Sequence, residues 1–319
     1  MTYPEKLTRI RKQMQADNVQ AYIIPSSDPH ISEYLPDHYK CITFASGFTG
    51  SAGTLVITHD FAGLWTDFRY FEQAAEQLAG SGFELVKQKV QHAPEYIEWL
   101  TNKLQKGDTV ASNEKLLPML LGDMLIQKLS LKGIGIADKD YLTSIWVDRP
   151  ELPNETAFLI DEEQAGQTTK SKLTAVREEL SIVGADCHLI SSLDDIAWLF
   201  NIRGKDVNYN PVVLSFAMIT QDHAKLFIDQ NKLTESEKQV LLTSGVEVFG
   251  YDEIESAIQH LPKNSVLLLD PKRTCYAFLQ LLPPTAKVIR DTNPSTRFKS
   301  VKNDKELANT RTAMLKDGV

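Results

Sequence analysis

A chain of 319 residues is too long for one ordinary hydrophobic core, so two domains are expected. With 42% hydrophobic and 24% charged residues it has the make-up of an ordinary globular protein. Its net charge of −8 argues against nucleic acid and anionic membrane as partners, and no apolar run approaches the roughly 20 residues of a membrane span. The polar start MTYPEKLTRIRKQ lacks a signal-peptide core. Cys41, Cys187 and Cys275 are scattered and odd in number, which points to reduced thiols in a cytoplasmic protein. The histidines form no HExxH or H-x-x-x-H pair, so zinc-protease chemistry of that kind is excluded.

Leu7, Ile10 and Met14 form one stripe of a helix over residues 5–16. A short buried strand follows at 21–25 (AYIIP), and Ser27-Asp28-Pro29 predicts the capped start of a helix carrying His30, Ile31, Tyr34 and Leu35. Gly47, Gly50 and Gly53 recur at spacing three. A phosphate cradle would need a helix behind them, and a Walker loop a terminal Gly-Lys-Ser/Thr. Here they lead into Thr54, Val56 and Ile57, so they are read as a tight turn feeding a hairpin at 54–67. Helix 70–79, strand 83–87, helix 94–104, strand 109–112, helix 115–131 and strand 134–137 complete the unit. This alternation predicts an α/β fold with a largely parallel sheet.

The same order restarts about 160 residues later. Helix 170–180, the stretch 189–192 (LISS over IPSS of 24–27), helix 194–200, hairpin 212–229, strand 246–249, helix 252–260 and the elements at 266–270, 276–282 and 287–290 match the first set. KLFID of 225–229 overlays GLWTD of 63–67. Two duplicated α/β domains are therefore expected, each a mixed sheet flanked by helices, over residues 1–155 and 156–292. The boundary falls in a stretch rich in proline and acid (DRPELPNE). Residues 291–296 read as a linker. Residues 301–319 read as a charged amphipathic helix with Leu307, Met314 and Leu315 lacking a partner, so residues 293–319 are expected to open a truncated third domain.

No complete catalytic constellation is present. Ser27, Asp28 and His30 are neighbours on one turn, where capping is the better account. His30 and Glu33 would share a helix face, a weak acid–base or metal pattern. Asp67 and Arg69 close the second hairpin strand, at the end where α/β proteins place ligand contacts. Asp194 and Asp195 suit the first turn of their helix by charge alone. Residues 203–211 (RGKDVNYNP) form a donor-rich loop suited to gripping another surface, or simply an ordered loop.

Residues 26–34 (SSDPHISEY), 46–54 (SGFTGSAGT) and 65–74 (WTDFRYFEQA) resemble the N-terminal domain of three-domain, cytosolic-type aminopeptidase P. Residues 197–204 (AWLFNIRG), with Asp206-Val207 and 209–212 (YNPV), resemble its second domain. The resemblance implies two creatinase-N-like domains followed by a metallopeptidase domain. That third domain removes an N-terminal residue preceding proline, using two Asp, one His and two Glu on two metal ions, usually manganese. The tail from Phe298 resembles its first helix, and none of the five ligands can be matched here. The chain is thus expected to be a non-catalytic portion that holds no cofactor of its own and shapes the substrate cleft through the Phe48 loop and Arg69, with Asp67 and His30 as further cleft or domain contacts. The implied partners are a peptide with proline in second position, the chain's own catalytic domain and, in an oligomer, a second copy. A stand-alone binding or dimerisation module is one alternative, but it should end near Asp291. A prolidase-type fragment is the other, but it usually carries one such N-terminal domain.

Overall fold

The computed structural model describes residues 1–318 and contains two compact units: Met1–Leu152 with Cys275–Ala277, and Pro153–Thr274 with the chain from Phe278 onward.

The first unit starts with α1 (Tyr3–Ala16), whose capping box pairs the Thr2 hydroxyl with the Glu5 amide and the Glu5 carboxylate with the Thr2 amide. It buries Leu7, Ile10 and Met14, the predicted stripe. Then come β1 (Ala21–Pro25), α2 (Cys41–Ser46), β2 (Thr54–Thr58), β3 (Ala62–Thr66), α3 (Phe71–Gln77), β4 (Glu84–Lys87), α4 (Glu95–Lys103), β5 (Thr109–Ser112), α5 (Met119–Ser130) and β6 (Gly135–Asp138). The sheet order is β4-β3-β2-β1-β5-β6, and β2 alone runs against the other strands. The C-terminal ends of β1, β3 and β4 therefore share one edge, with the loop entering β2 among them. Both faces are covered, so every residue of β1 is buried. Tyr22, Ile24, Leu55, Ile57 and Leu64 face α1, while Trp65 on the other face packs against Tyr96 and Trp99.

The second unit opens with β7 (Phe158–Leu159) and α6 (Glu162–Ala165), then repeats the pattern with α7 (Thr169–Val183), β8 (Cys187–Ile190) and α8 (Leu193–Leu199). It continues through β9 (Ile202–Arg203), β10 (Ser215–Thr220), β11 (Ala224–Ile228), α9 (Glu235–Thr243), β12 (Val246–Phe249), α10 (Glu253–Gln259), β13 (Val266–Leu269), α11 (Tyr276–Gln280, whose first two residues count with the first unit) and β14 (Lys287–Arg290). The order β12-β11-β10-β8-β13-β14 reproduces the first sheet strand for strand, again with the strand entering the hairpin reversed. Two mixed sheets flanked by helices, built to the same order, are present, as the sequence implies.

Three expectations are corrected. No helix covers residues 28–35. The Asp28 carboxylate accepts the amides of both His30 and Ser32, and Ile31 takes a positive φ of 54°, which closes a turn instead of opening a helix. The counterpart of α8 is instead α2, which ends on Gly47 at φ +86°. Finally, the second half of the supposed linker is the start of α12 (Pro294–Ser300), with proline in its first turn. The last helix, α13 (Asp304–Asp317), starts on a capping box between Asn303 and Glu306 and leaves Leu307, Met314 and Leu315 exposed. The final residue of the expected helix, Val319, lies outside the described residues.

Candidate functional site

The C-terminal edge of the first sheet gathers the residues singled out above. β3 delivers Asp67, which is 2% exposed and accepts the Arg69 amide as the cap of a single tight turn. The Arg69 guanidinium grips the same carboxylate through both oxygens, Nε to Oδ1 and Nη2 to Oδ2, each at 2.8 Å. Arg69 therefore holds the Asp67 carboxyl below its usual range, against the opposing effect of burial. The guanidinium also lies 5.2 Å from the Tyr70 ring centre, and 39% of the Arg69 side chain remains in solvent. Beside it, Phe68 is 67% exposed.

The duplicated turn separates what folding requires from what it does not. At the matching place in the second unit, Asp229 caps a turn by accepting the Asn231 amide at 3.0 Å. The capping aspartate is repeated, but asparagine stands where the first unit has Arg69. A turn of this kind folds without a guanidinium, so Arg69 is not there to form the turn.

The loop entering β2 packs against this site. The Tyr70 hydroxyl meets Ser51 Oγ at 2.7 Å, and Ser26 Oγ donates to the Ser51 carbonyl at 3.0 Å. Phe48 is fully buried and meets the Tyr70 ring edge to face at 5.8 Å. Gly50 lets the backbone pass over that ring, since a Cβ there would sit 2.2 Å from Phe48 Cζ. The glycines serve a turn and a close approach. His30 is 1% exposed in the Asp28 turn, and Glu33 is at the surface, so they do not share a face. Of Phe48, Asp67, His30 and Arg69, only Arg69 presents its side chain to solvent.

In the second unit the corresponding edge is filled from within. Asp195 is fully buried at the start of α8 and accepts Ser192 Oγ at 2.5 Å, Asn293 Nδ2 at 3.0 Å and Thr296 Oγ1 at 2.7 Å, with Lys299 Nζ 3.0 Å away. Burial pushes its pKa up, but Lys299 and the three donors outweigh that and leave it lowered. This carboxylate ties α12 onto α8 and is not a mere complement to a helix dipole. The sequence signal was present but weak, a Ser-x-x-Asp pattern whose partners lie about 100 residues away. His188, buried in β8, faces the Leu268 carbonyl at 3.1 Å through Nδ1, and burial pushes its pKa down to about 4. A neutral, enclosed histidine of this kind has no access to a ligand.

Among the described residues, no three His, Cys, Asp or Glu side chains come together as a group able to hold a metal ion. The donor sets here therefore do not fit the metal pair that the resemblance implies, and no chemical step is assigned to one. Among the described residues, no helix is long and apolar enough to cross a membrane.

Family models described as the creatinase/prolidase N-terminal domain match residues 6–139 and residues 148–306. A probable Xaa-Pro aminopeptidase P of Sordaria macrospora is 35% identical over 327 residues, covering 98% of this chain and 53% of its own length. Xaa-Pro aminopeptidase app-1 of Caenorhabditis elegans is 32% identical over 334 residues, covering 99% and 54%. The crystal structure of X-prolyl aminopeptidase from Caenorhabditis elegans, described as a cytosolic enzyme with a di-nuclear active site, superposes with a TM-score of 0.91 at 31% identity, covering 98% of this chain and 53% of that one. The chain spans about half the length of the curated relatives it matches. It belongs to the creatinase/prolidase N-terminal domain family and carries that domain twice.

Proposed function

We propose that these two domains are the non-catalytic N-terminal portion of a cytoplasmic, metal-dependent Xaa-Pro aminopeptidase, and that they shape the cleft through which a peptide with proline in second position reaches the metals. The observation that carries this is the pairing of near-complete coverage of this chain with coverage of only 53% of the relatives. The di-nuclear site described for the nematode enzyme is assigned to the part of such proteins that this chain does not match, with manganese as the expected metal. Residues 293–318 are assigned to the passage into that part.

The test is direct. The full-length polypeptide with Mn²⁺ should hydrolyse an Xaa-Pro-Xaa peptide and spare the Xaa-Ala-Xaa analogue. The 319-residue chain alone should neither turn over the peptide nor bind Mn²⁺ in calorimetry. Proline-dependent cleavage by the 319-residue chain, or none by the full-length polypeptide, would refute the proposal. Within it, Arg69 is assigned to the substrate: its exposed guanidinium suits a peptide carbonyl or carboxylate, and the second unit makes the same turn without it. Arg69→Ala in the full-length enzyme is expected to raise KM for extended peptides roughly 10-fold, about 1.4 kcal/mol of lost binding, with kcat little changed. Unchanged constants would remove Arg69 from the cleft.

A further inference from the structure

The loops that enter the reversed strand of each unit occupy equivalent places, yet they point their aromatic residues in opposite directions. In the first unit, the loop before β2 turns Phe48 fully into the core. In the second, the loop before β10 holds Tyr209 at its tip, 107% exposed.

The base of this second loop is built rigidly. Asp206, 4% exposed, accepts the Leu214 amide at 2.7 Å and pairs with buried Lys232 Nζ at 2.5 Å. Val207, Val212 and Leu214 pack with Leu193 and Ala197 in a small apolar cluster of their own. Above this base, the Asn210 amide donates to the Val207 carbonyl at 3.2 Å, closing a four-residue turn. The third residue of that turn is Tyr209, at φ +61°, a position suited to glycine or asparagine. Folding gains nothing from a bulky ring there: it sits in a disfavoured backbone conformation and is bathed in solvent. Lys205, Asn208 and Pro211 are exposed around it. A rigid stem, a strained tip and an amphipathic ring are the features of an anchor residue at a protein interface.

We infer that loop 204–211 is a docking finger whose Tyr209 seats in a recess of the polypeptide's own C-terminal region, which this structure does not contain. The proposal rests on the chain being part of a longer Xaa-Pro aminopeptidase. Size decides the occupant. A stable contact between separate molecules needs roughly 20–30 residues a side, far more than this finger offers. A covalently tethered surface is present at an effective concentration in the mM range, at which one aromatic anchor with a few polar neighbours suffices.

Nitration with tetranitromethane, mapped by peptide mass spectrometry, reads the finger without any assay of activity. Tyr209 should be modified readily in the 319-residue chain, whose two units each have their own core. In the full-length polypeptide its reactivity should fall at least about tenfold, the protection that a mM effective concentration gives a contact of ~0.1 mM affinity. Buried Tyr22 serves as the unreactive reference. Equal reactivity in the two proteins would overturn the proposal. So would protection that appears only as protein concentration rises, which would mean a second copy, or only when an Xaa-Pro peptide is added, which would mean substrate. Full protection in a polypeptide that cleaves no Xaa-Pro peptide would refute the proposed activity and leave the finger standing.

Discussion

Lys172 is 2% exposed, with its Nζ donating to the Trp198 carbonyl at 2.8 Å and to Asn201 Oδ1 at 2.7 Å, 4.5 Å from the Trp198 ring centre. It caps the C-terminal end of α8 from within the core. Burial pulls its pKa from the ordinary 10.5 down to about 8, with nearby Glu306 opposing the shift. Below pH 8 both folded and unfolded chains carry the proton, and the cost of a buried charge is fully present. Between about 8 and 10.5 the unfolded chain binds the proton and the folded one does not, so stability rises with pH across that window. Urea unfolding of the wild type and of Lys172→Met at several pH values isolates this effect: the wild-type stability should climb relative to the variant from pH 8 to 10.5. A flat or falling difference would contradict it. Tyr209 obeys the opposite logic, since its strain can be relieved without touching the core. Asparagine tolerates a positive φ, so Tyr209→Asn is expected to raise the stability of the 319-residue chain by about 1 kcal/mol in urea denaturation. A loss of stability would mean that the ring supports the fold.

At the scale of elements, the loop entering β2 is held by packing around Gly50. Any side chain there meets Phe48 Cζ at 2.2 Å and Tyr70 Cδ1 at 2.7 Å, both ring atoms with little room to move. Gly50→Ala is expected to cost about 1–3 kcal/mol in chemical denaturation, the usual range for overpacking a filled core. A change below roughly 0.5 kcal/mol would mean that the loop can lift off the ring. This loop also marks how far sequence patterns reach. β5, β12 and β14 could be bounded to the residue because short β-branched runs sit between turns. The glycines could be recognised as turn formers because a strand, not a helix, follows them. The inward course of Phe48 was not legible, because Phe48 and Tyr70 meet only after the hairpin folds. Residues 28–35 misled because Asp28 has the same side chain for capping a helix and for closing a turn, and only the backbone at Ile31 decides between them. α9 could have been found: Thr234 and Glu237 form a capping box that is visible as T-x-x-E. The bidentate Arg69–Asp67 pair was within reach because its members are two residues apart, whereas Asn293, Thr296 and Lys299 around Asp195 were not, because they lie about 100 residues downstream.

At the scale of the molecule, each unit has its own core and its own buried thiol, so each can be followed by itself. Cys41 lies in the first core and Cys187 in β8 of the second sheet, both 2% exposed. Burial pushes both thiols up to about 12, so at pH 8 the native chain has almost no reactive thiolate at either position. Pulsed alkylation along a urea series, read by mass spectrometry, should leave both unlabelled until the unit around each one opens. The second unit depends on Asp195 in a way that this measurement can reach. Replacing that carboxylate with alanine removes the acceptor for Ser192, Asn293 and Thr296, and leaves Lys299 with only its partly exposed contact to Asp194. Losing one member of a buried charged network costs about 3–5 kcal/mol, which should move the Cys187 labelling midpoint to clearly lower urea. Asp195→Asn, which keeps one acceptor oxygen, should move it less. If the Cys187 midpoint stayed in place in Asp195→Ala, the bonds that Asp195 accepts would contribute nothing to the stability of the second unit. The passage from that unit toward the C-terminus would then be held by the remaining contacts of α12, from Lys299 to Asp194, Arg297 to Glu179 and Phe298 to the Trp198 ring, and by those of α13, from Asn303 to the Ala165 carbonyl and from the Trp198 indole to Glu306.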